Sequence, residues 1–313
     1  MNKKIVNLRF IAILLVVVGH SIIIYDTSWG VFSTKYSLPY IETIKKIINL
    51  IQMPLFFSIS GFLMYYSLIK EKSLIRFIKN KFIRIIIPFF SVLLLWVLPI
   101  RFLINYNNYQ NTSFLKILCN NIIMKDSSHL WYLPTLFAIF IISFIILKKI
   151  SIKKYMCIFM LSFLFLLIHN CFPSYIGHIF HYYFYFLIGY FINFYKIYIS
   201  KKLLPIFFFI IFLLFIYNLF FKNFLLQIFF QTLFIIVIYT IICNKTNQII
   251  ETISKKSYGI YLFHSPLVYI SYTYYPNIQP LLMLLFNIFI CGGLSFLLAC
   301  ILSKTKLKFL IGD

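Results

Sequence analysis

The first apolar stretch of the chain carries two ionisable side chains that could do chemistry, Arg9 and His20. On an α-helix their spacing of eleven residues is three turns plus about 20°, so both would project from one face, about 16 Å apart along the axis. Ionisable side chains inside membrane segments are costly and are therefore candidate functional residues. Arg9 alone would also suit a residue whose charge snorkels to the interface. An imidazole among Val and Ile has no packing advantage over leucine, so we predict that His20 is functional.

A second candidate group is basic. Lys81 and Arg84 are three residues apart, and Pro88 follows one turn later. Two cations at this spacing share one face of an α-helix and could clamp a phosphate or pyrophosphate. The alternative is that they only mark the cytosolic end of a membrane helix.

Two more histidines lie in apolar or aromatic surroundings. His129 and Trp131 precede a long apolar run, where they could stack on and hydrogen-bond a sugar, or belong to an interfacial aromatic belt. His264 lies inside a later apolar run between Gly259 and Pro266, which permit close packing and a kink.

The acidic residues are few, and their positions narrow the chemistry. All of them fall in predicted loops or at segment ends: Asp26, Glu42, Glu71, Asp126, Glu251 and Asp313. A transmembrane proton relay or cation path normally needs buried carboxylates, so this pattern argues against such a transporter. His20 has no carboxylate in its own helix, which argues against an Asp-His-Ser triad. We expect its imidazole to be oriented by hydroxyls, the backbone, another histidine, or an interfacial acid such as Asp26 or Asp126.

Neither the cysteines nor the remaining histidines predict a metal site. The six cysteines form no Cys-x-x-Cys or Cys/His ligand spacing and no disulfide framework. His169, His178 and His181 flank a short segment at Pro173, with no carboxylate or cysteine beside them at ligand spacing. We therefore predict no metal and expect these three histidines to be structural.

The composition indicates which elements must position these residues. Of the 313 residues, 62% are apolar and 11% charged, whereas a soluble domain is about a quarter charged, which excludes an ordinary cytosolic enzyme. The formal charge of +23 would by itself permit nucleic-acid binding. The basic residues stand, however, in short groups between long apolar runs, so we predict no nucleic-acid partner.

About ten apolar runs are long enough, or nearly so, to cross a hydrocarbon core of roughly 30 Å, which takes about 20 helical residues. Continuous runs of this length indicate helices rather than the alternating strands of a barrel. The predicted fold class is all-α, a polytopic transmembrane helical bundle of about ten helices, in one domain over residues 1–313. The predicted spans are 9–25, 47–69, 83–104, 129–147, 155–171, 177–195, 203–221, 224–243, 257–275 and 280–303.

The basic residues also predict an orientation. If the N-terminus is cytosolic, most of the 29 lie in alternate segments that face the cytosol, which predicts that both termini are cytosolic. The basic residues assigned to outer segments are Lys35, Lys45, Lys46, Arg101, Lys116, Lys125 and Lys222. The basic start would also suit a secretory signal peptide, but no clear small-x-small cleavage site follows, so we expect the first segment to be retained.

Five motifs together resemble those of the membrane-bound acyltransferase family 3, whose members O-acylate surface polysaccharides and related glycans. In the family's order, they are Arg9-x10-His20; Met53-Pro54-Leu55-Phe56-Phe57-Ser58-Ile59-Ser60-Gly61-Phe62-Leu63; Lys81-x-x-Arg84 with Pro88; His129-Leu130-Trp131-Tyr132-Leu133; and Tyr258-Gly259-Ile260-Tyr261-Leu262-Phe263-His264. Each motif is weak alone, but five in order span nearly the whole chain. The family usually has Arg where Lys81 stands, and lysine keeps the charge without the planar fork.

The resemblance implies an integral membrane O-acyltransferase that moves an acyl group, most often acetyl, from acyl-CoA to a hydroxyl of a cell-surface polysaccharide or lipid-linked glycan. Arg9, Lys81 and Arg84 would hold the acyl-CoA. With Arg9 in the catalytic set, neutral His20 would act as general base on the acceptor hydroxyl, or as a transient acyl carrier. The expected acceptor contacts are Ser60, His129, Trp131 and His264, although Ser60 would equally serve helix packing.

The resemblance also implies partners and a location. We expect acetyl-CoA as donor substrate with no permanently bound cofactor, a glycan acceptor, membrane lipids, and a multi-pass place in a bacterial cytoplasmic membrane, as in the single-domain branch of the family. The alternative function is a polysaccharide or glycolipid transporter or flippase without acyl transfer. Such a protein would spread polar residues along a transmembrane path rather than at a few motif positions. A non-catalytic scaffold would not require Arg9 and His20 on one face.

Overall fold

The computed structural model of the protein describes residues 2–26, 29–36, 38–109, 111–123, 125–126, 128–221 and 223–312. Every regular element within these ranges is helical, which confirms the all-α prediction. Lys222 and Asp313 lie outside the described residues. The α-helices, numbered in chain order, are α1 (Lys3–Ser21), α2 (Pro39–Lys70), α3 (Leu74–Lys81), α4 (Ile87–Val92), α5 (Leu98–Leu103), α6 (Phe114–Ile122), α7 (Tyr132–Lys149), α8 (Tyr155–Leu167), α9 (Ser174–Tyr195), α10 (Leu204–Phe220), α11 (Phe224–Ile241), α12 (Gln248–Tyr274), α13 (Pro280–Phe286) and α14 (Gly292–Lys304).

Six helical stretches in the described part of the chain are long and apolar enough to cross a membrane. They are Lys3–Ser21, Pro39–Lys70, Leu74–Leu103, His129–Lys149, Phe224–Ile241 and Pro280–Lys304. Their lengths of 18 to 32 residues meet or approach the span of a hydrocarbon core. They indicate a multi-pass membrane protein, whereas the count of ten helices, the cytosolic termini and the single domain stay predictions.

Two helices begin earlier than the apolar pattern indicated. Helix α2 begins at Pro39, not at 47, and the third spanning stretch begins at Leu74, not at 83. Proline is favoured in a first helical turn because it lacks an amide hydrogen that would be unpaired there. Lys45 therefore lies on α2 and not in the segment before a helix, and both Lys45 and Arg101 are buried on membrane-length helices. Their assignment to the outer side stays a prediction.

Prolines inside helices leave backbone carbonyls free for partners on other helices. A proline lacks the N–H that would bond to the carbonyl four residues earlier. Pro54 in α2 thus frees the carbonyl of Leu50, which accepts a hydrogen bond of 2.8 Å from the side-chain amide of Gln231 in α11. The carbonyl that the proline leaves free therefore accepts a hydrogen bond from another helix. The same arrangement occurs beside the functional site.

Helices α2 and α9 approach each other through glycine. A Cβ atom on Gly61 would overlap the carbonyl oxygen of Phe186, and one on Gly189 would overlap that of Ser58. The side-chain amide of Asn193 also donates to the carbonyl of Phe62 at 2.9 Å. Small residues permit such backbone contact between membrane helices, so this pair fixes the position of α2, whose N-terminal half lines the site.

Candidate functional site

Three histidines from distant parts of the chain meet in the structure. His20 lies at the end of α1, His129 in the turn Ser128–Trp131 before α7, and His264 in the middle of α12. Their ring centroids are 5.0 Å apart for His20 and His264, 5.3 Å for His129 and His264, and 6.2 Å for His20 and His129. We call these three residues the histidine cluster.

Helix packing and a proline bring the cluster together. Helix α1 packs along α12, and the hydroxyl of Tyr272 in α12 donates to the carbonyl of His20. Pro266 frees the carbonyl of Leu262, which lies 3.1 Å from Nε2 of His129. Pro266 thus makes available the acceptor that ties the start of α7 to α12.

Backbone carbonyls determine the hydrogen positions on one ring of the cluster. Nδ1 of His264 lies 3.0 Å from the carbonyl oxygen of Ile260 and 2.8 Å from that of Tyr261, so Nδ1 carries the hydrogen and Nε2 keeps a lone pair. That Nε2 atom and Nδ1 of His20 are both buried, and neither has a hydrogen-bond partner among the described residues. A hydrogen on His20 Nδ1 and the lone pair on His264 Nε2 would be complementary.

The cluster stands at the wall of a cavity of about 440 Å³, a size that suits a small organic molecule. His20 and His129 line it directly, together with Trp131 and His178, whose rings are 4.5 Å apart. His178 was expected to be structural, but its ring faces this cavity. The other polar lining residues are Lys45, Asn49, Gln52, Arg101, Tyr106, Asn108, Lys125, Asp126, Tyr261 and Tyr269.

A buried arginine holds one side of the cavity. Arg101 is only 1% exposed, and its Nη1 donates to the hydroxyl of Tyr109 at 2.8 Å and the carbonyl of Asp126 at 3.1 Å. The same Nη1 forms an ion pair of 3.3 Å with the Asp126 carboxylate. Burial raises the pKa of the Asp126 carboxyl, and the nearby guanidinium offsets part of that rise. The Asp126 carboxylate is therefore paired with Arg101. The rings of His264 and His129 lie next to the His20 imidazole.

Arg9 lies on the same unbroken helix as His20, about 16 Å nearer the N-terminus of α1. The phenol groups of Tyr132 and Tyr239 are within electrostatic range of its guanidinium. The ring of Tyr132 is 5.5 Å from that of Tyr261, whose hydroxyl donates to the carbonyl of His129. Two tyrosines therefore connect the surroundings of Arg9 to the histidine cluster.

Ser60 makes a polar contact and does not form the close helix crossing. Its hydroxyl lies 3.2 Å from the hydroxyl of Tyr132. The close approach to α9 belongs to its neighbour Gly61. Ser60 is absent from the lining of the histidine cavity, and among the described residues its hydroxyl contact with Tyr132 links it to the site.

Lys81 and Arg84 have different surroundings although they are near in sequence. A π-helical turn over Phe82–Ile86 widens the helix between them, so residues three apart no longer stack as they do on an α-helix. The ammonium of Lys81 lies 3.6 Å from the ring centre of Phe140, whereas Arg84 is exposed. Phe140 follows His129 by eleven residues, so Lys81 lies roughly 16 Å from the cluster, as Arg9 does.

The exposed Arg84 is tied to α12 through its backbone. Pro88 frees the carbonyl of Arg84, which accepts a hydrogen bond of 3.1 Å from the hydroxyl of Tyr258. The basic segment therefore packs against the same helix as the histidine cluster, but about one and a half turns before His264. Neither Lys81 nor Arg84 lines the cavity.

The family model described as an acyltransferase domain matches residues 2–304. The matched region contains the whole histidine cluster and the basic segment. No curated protein and no solved structure matches the chain.

Proposed function

Because the chain belongs to the acyltransferase 3 family, and is thus a membrane acyltransferase, we propose that it transfers an acetyl group from acetyl-CoA to a hydroxyl of a cell-surface polysaccharide or lipid-linked glycan in a bacterial cytoplasmic membrane. The observation that carries this proposal is the histidine cluster at the wall of a polar, sugar-sized cavity. The family match supports the acyl transfer, and the cavity supports a small polar acceptor.

His20 is the general base of the proposed reaction. Its side chain lines the cavity, and its Nδ1 is buried and unpaired in the described part of the chain, so the proposed mechanism uses Nε2 as the base. Nε2 takes the proton of the acceptor hydroxyl as its oxygen attacks the thioester carbonyl carbon. The carbon–sulfur bond then breaks, and the proton passes from His20 to the departing thiolate. Proton transfer by a positioned group accelerates such reactions by roughly 10²- to 10⁴-fold.

His264 positions His20 in this scheme. A general base acting through Nε2 needs its hydrogen on Nδ1, and in many hydrolases a carboxylate fixes that tautomer. Here the carbonyls of Ile260 and Tyr261 hold the hydrogen of the His264 ring on Nδ1, so its Nε2 keeps a lone pair. That lone pair, which has no partner among the described residues, would accept the hydrogen of His20 Nδ1 once the two rings move into hydrogen-bond range. A neutral partner also avoids placing a second charge in the bundle.

The donor approaches from the end of the bundle that carries Arg9, Lys81 and Arg84. All three are cations suited to the phosphates of acetyl-CoA. Arg9 and Lys81 each lie roughly 16 Å from the cluster, so the phosphates bind at one end while the thioester reaches His20. The acceptor enters the cavity at the opposite end, where the Trp131 ring offers a stacking surface for a sugar.

The test is mass spectrometry of surface glycan from strains with and without the gene, joined to a thiol-release assay on purified protein with acetyl-CoA and that glycan. We expect a mass difference of one acetyl group and thiol release that requires the glycan. Glycan movement across vesicles without thiol release would contradict the proposal and favour the transporter alternative.

A further inference from the structure

One face of α2 presents polar side chains to the cavity. Lys45, Asn49 and Gln52 are spaced i, i+4 and i+7, which puts them on one side of an α-helix, and all three line the cavity. We call these three residues the polar stripe of α2. The neighbouring lysine faces elsewhere: Lys46 has a side chain 61% exposed and an ion pair of 2.9 Å with Glu42.

Lys45 is a buried cation without an ion pair. It is 2% exposed, and no hydrogen bond or salt bridge joins its ammonium to another described residue. Asp26 is within electrostatic range of Lys45 but forms no ion pair with it. A buried charge with no direct partner is costly, and in a membrane bundle such a residue marks a ligand or ion site.

Gln52 presents an unused acceptor atom beside that cation. Its amide nitrogen donates to Oδ1 of Asn49 at 3.1 Å, which orients the side chain. Its Oε1 is buried and has no hydrogen-bond partner among the described residues. A Cβ atom on Gly19 would lie 3.0 Å from that Oε1 and 3.4 Å from Nζ of Lys45. The cation and the acceptor oxygen are therefore neighbours, next to the residue that precedes His20.

The charge of the cavity lining favours an anion. The lining contains three cations, Lys45, Arg101 and Lys125, and one carboxylate, Asp126. That carboxylate is already paired with Arg101. The positive charge of Lys45 is thus available to a ligand, and because Lys45 is only 2% exposed, a charge pair there would be stronger than one at the surface.

We propose that the polar stripe of α2 is the acceptor subsite and that it selects a sugar carrying a carboxylate or a phosphate. Lys45 binds the anionic group, and Oε1 of Gln52 accepts a hydrogen bond from a neighbouring hydroxyl or amide N–H of the sugar. This inference rests on the proposed function in placing the acceptor in this cavity, and it narrows the acceptor from any glycan to an acidic one.

Binding without any acyl donor tests the subsite. The probes are methyl glucuronide (carboxylate), glucose 6-phosphate (phosphate) and methyl glucoside (neutral), titrated against detergent-purified protein. Tryptophan fluorescence reports binding, because Trp29 and Trp131 line the cavity. We expect one of the anionic probes to bind at least about tenfold more tightly than the neutral one, as a charge-assisted hydrogen bond predicts. The anionic probe that binds more tightly shows whether the subsite prefers a carboxylate or a phosphate.

Matched variants isolate the role of Lys45. Lys45→Gln should abolish the preference for the anionic probe, Lys45→Arg should keep most of it, and Lys46→Gln, the adjacent exposed lysine, should leave it unchanged. The preference should also fall with rising salt in the wild-type protein, a measurement that does not depend on a variant folding.

Two results would overturn the subsite: no preference between charged and neutral probes in the wild-type protein, or an unchanged preference in a folded Lys45→Gln variant. Acyl transfer that persists without the preference would refute this inference alone. A clear preference in a protein that never releases thiol would refute the proposed function alone.

Discussion

The histidine cluster and the basic segment around Lys81 are the two polar regions that the motifs predicted, and they are built in opposite ways. The histidines are far apart in sequence, yet the packing of α1 against α12 brings two of their rings to within 5.0 Å. Lys81 and Arg84 are neighbours in sequence, yet the ammonium of Lys81 contacts the ring of Phe140, whereas the side chain of Arg84 is exposed. The helix packing sets the ring positions of the cluster, whereas Lys81 would have to leave Phe140 before it could bind a ligand.

The cost of that rearrangement is small. A cation over an aromatic ring gains about 0.5 to 2 kcal/mol, and a charge-assisted hydrogen bond about 1.5 to 3 kcal/mol. Lys81 would therefore leave Phe140 for a phosphate with little net change in free energy. From this difference we expect large effects of substitutions in the cluster and small ones in the basic segment.

The largest effect should come from His20→Ala. Loss of the proposed general base should lower kcat for acyl transfer by about 10²- to 10⁴-fold while the protein still reaches the membrane. Thiol release from acetyl-CoA in the presence of glycan measures it. His181→Ala is the control, because His181 pairs with His169 outside the cavity. Wild-type activity in His20→Ala would remove that residue from the mechanism.

The next largest effect should come from the close packing of α2 against α9, which positions the helix that lines the cavity. Gly61→Ala should destabilise the protein by about 1 to 3 kcal/mol or more, because its Cβ would overlap the Phe186 carbonyl. Thermal unfolding in detergent measures the change. Gly293→Ala is the matched control, since nothing lies within 4 Å of a Cβ there. Equal unfolding temperatures for the two variants would show that α2 and α9 are not rigidly joined.

A smaller effect should follow from changing the partner of His20. His264→Phe keeps a ring of similar size but removes the lone pair, and should lower kcat by about tenfold without raising KM for either substrate. His264→Gln should recover most of the loss, because its Oε1 can accept the same hydrogen bond. Steady-state kinetics of both variants measure this, and an equal loss in the two would show that His264 only fills space.

The smallest effect should be that of Lys81→Ala. We expect KM for acetyl-CoA to rise about fivefold with kcat unchanged, because the residue contributes binding and no chemistry. Lys79→Ala is the control, as an exposed lysine in the same turn. If kcat falls with KM constant, Lys81 acts in the transition state and the contrast between the two regions fails.

The all-α fold class and the family could be predicted from the sequence, because apolar length and motif order are read directly along the chain. The meeting of His20, His129 and His264 could not, since it depends on how three helices pack. Lys45 was placed in a loop because the first turns of α2 are polar, although Lys45, Asn49 and Gln52 already show helical spacing. A free carbonyl near Pro266 could be expected from the sequence alone. Its contact with His129 could not, because it depends on how α7 packs against α12.

Helix α1 runs without interruption from Lys3 to Ser21, with consequences for how the gene can diverge. Substitutions between Arg9 and His20 leave their separation unchanged. A single inserted or deleted codon would turn one side chain by about 100° relative to the other and shift it by about 1.5 Å. Divergent copies of this segment should therefore vary in composition while keeping its length, which would preserve the separation of Arg9 from His20.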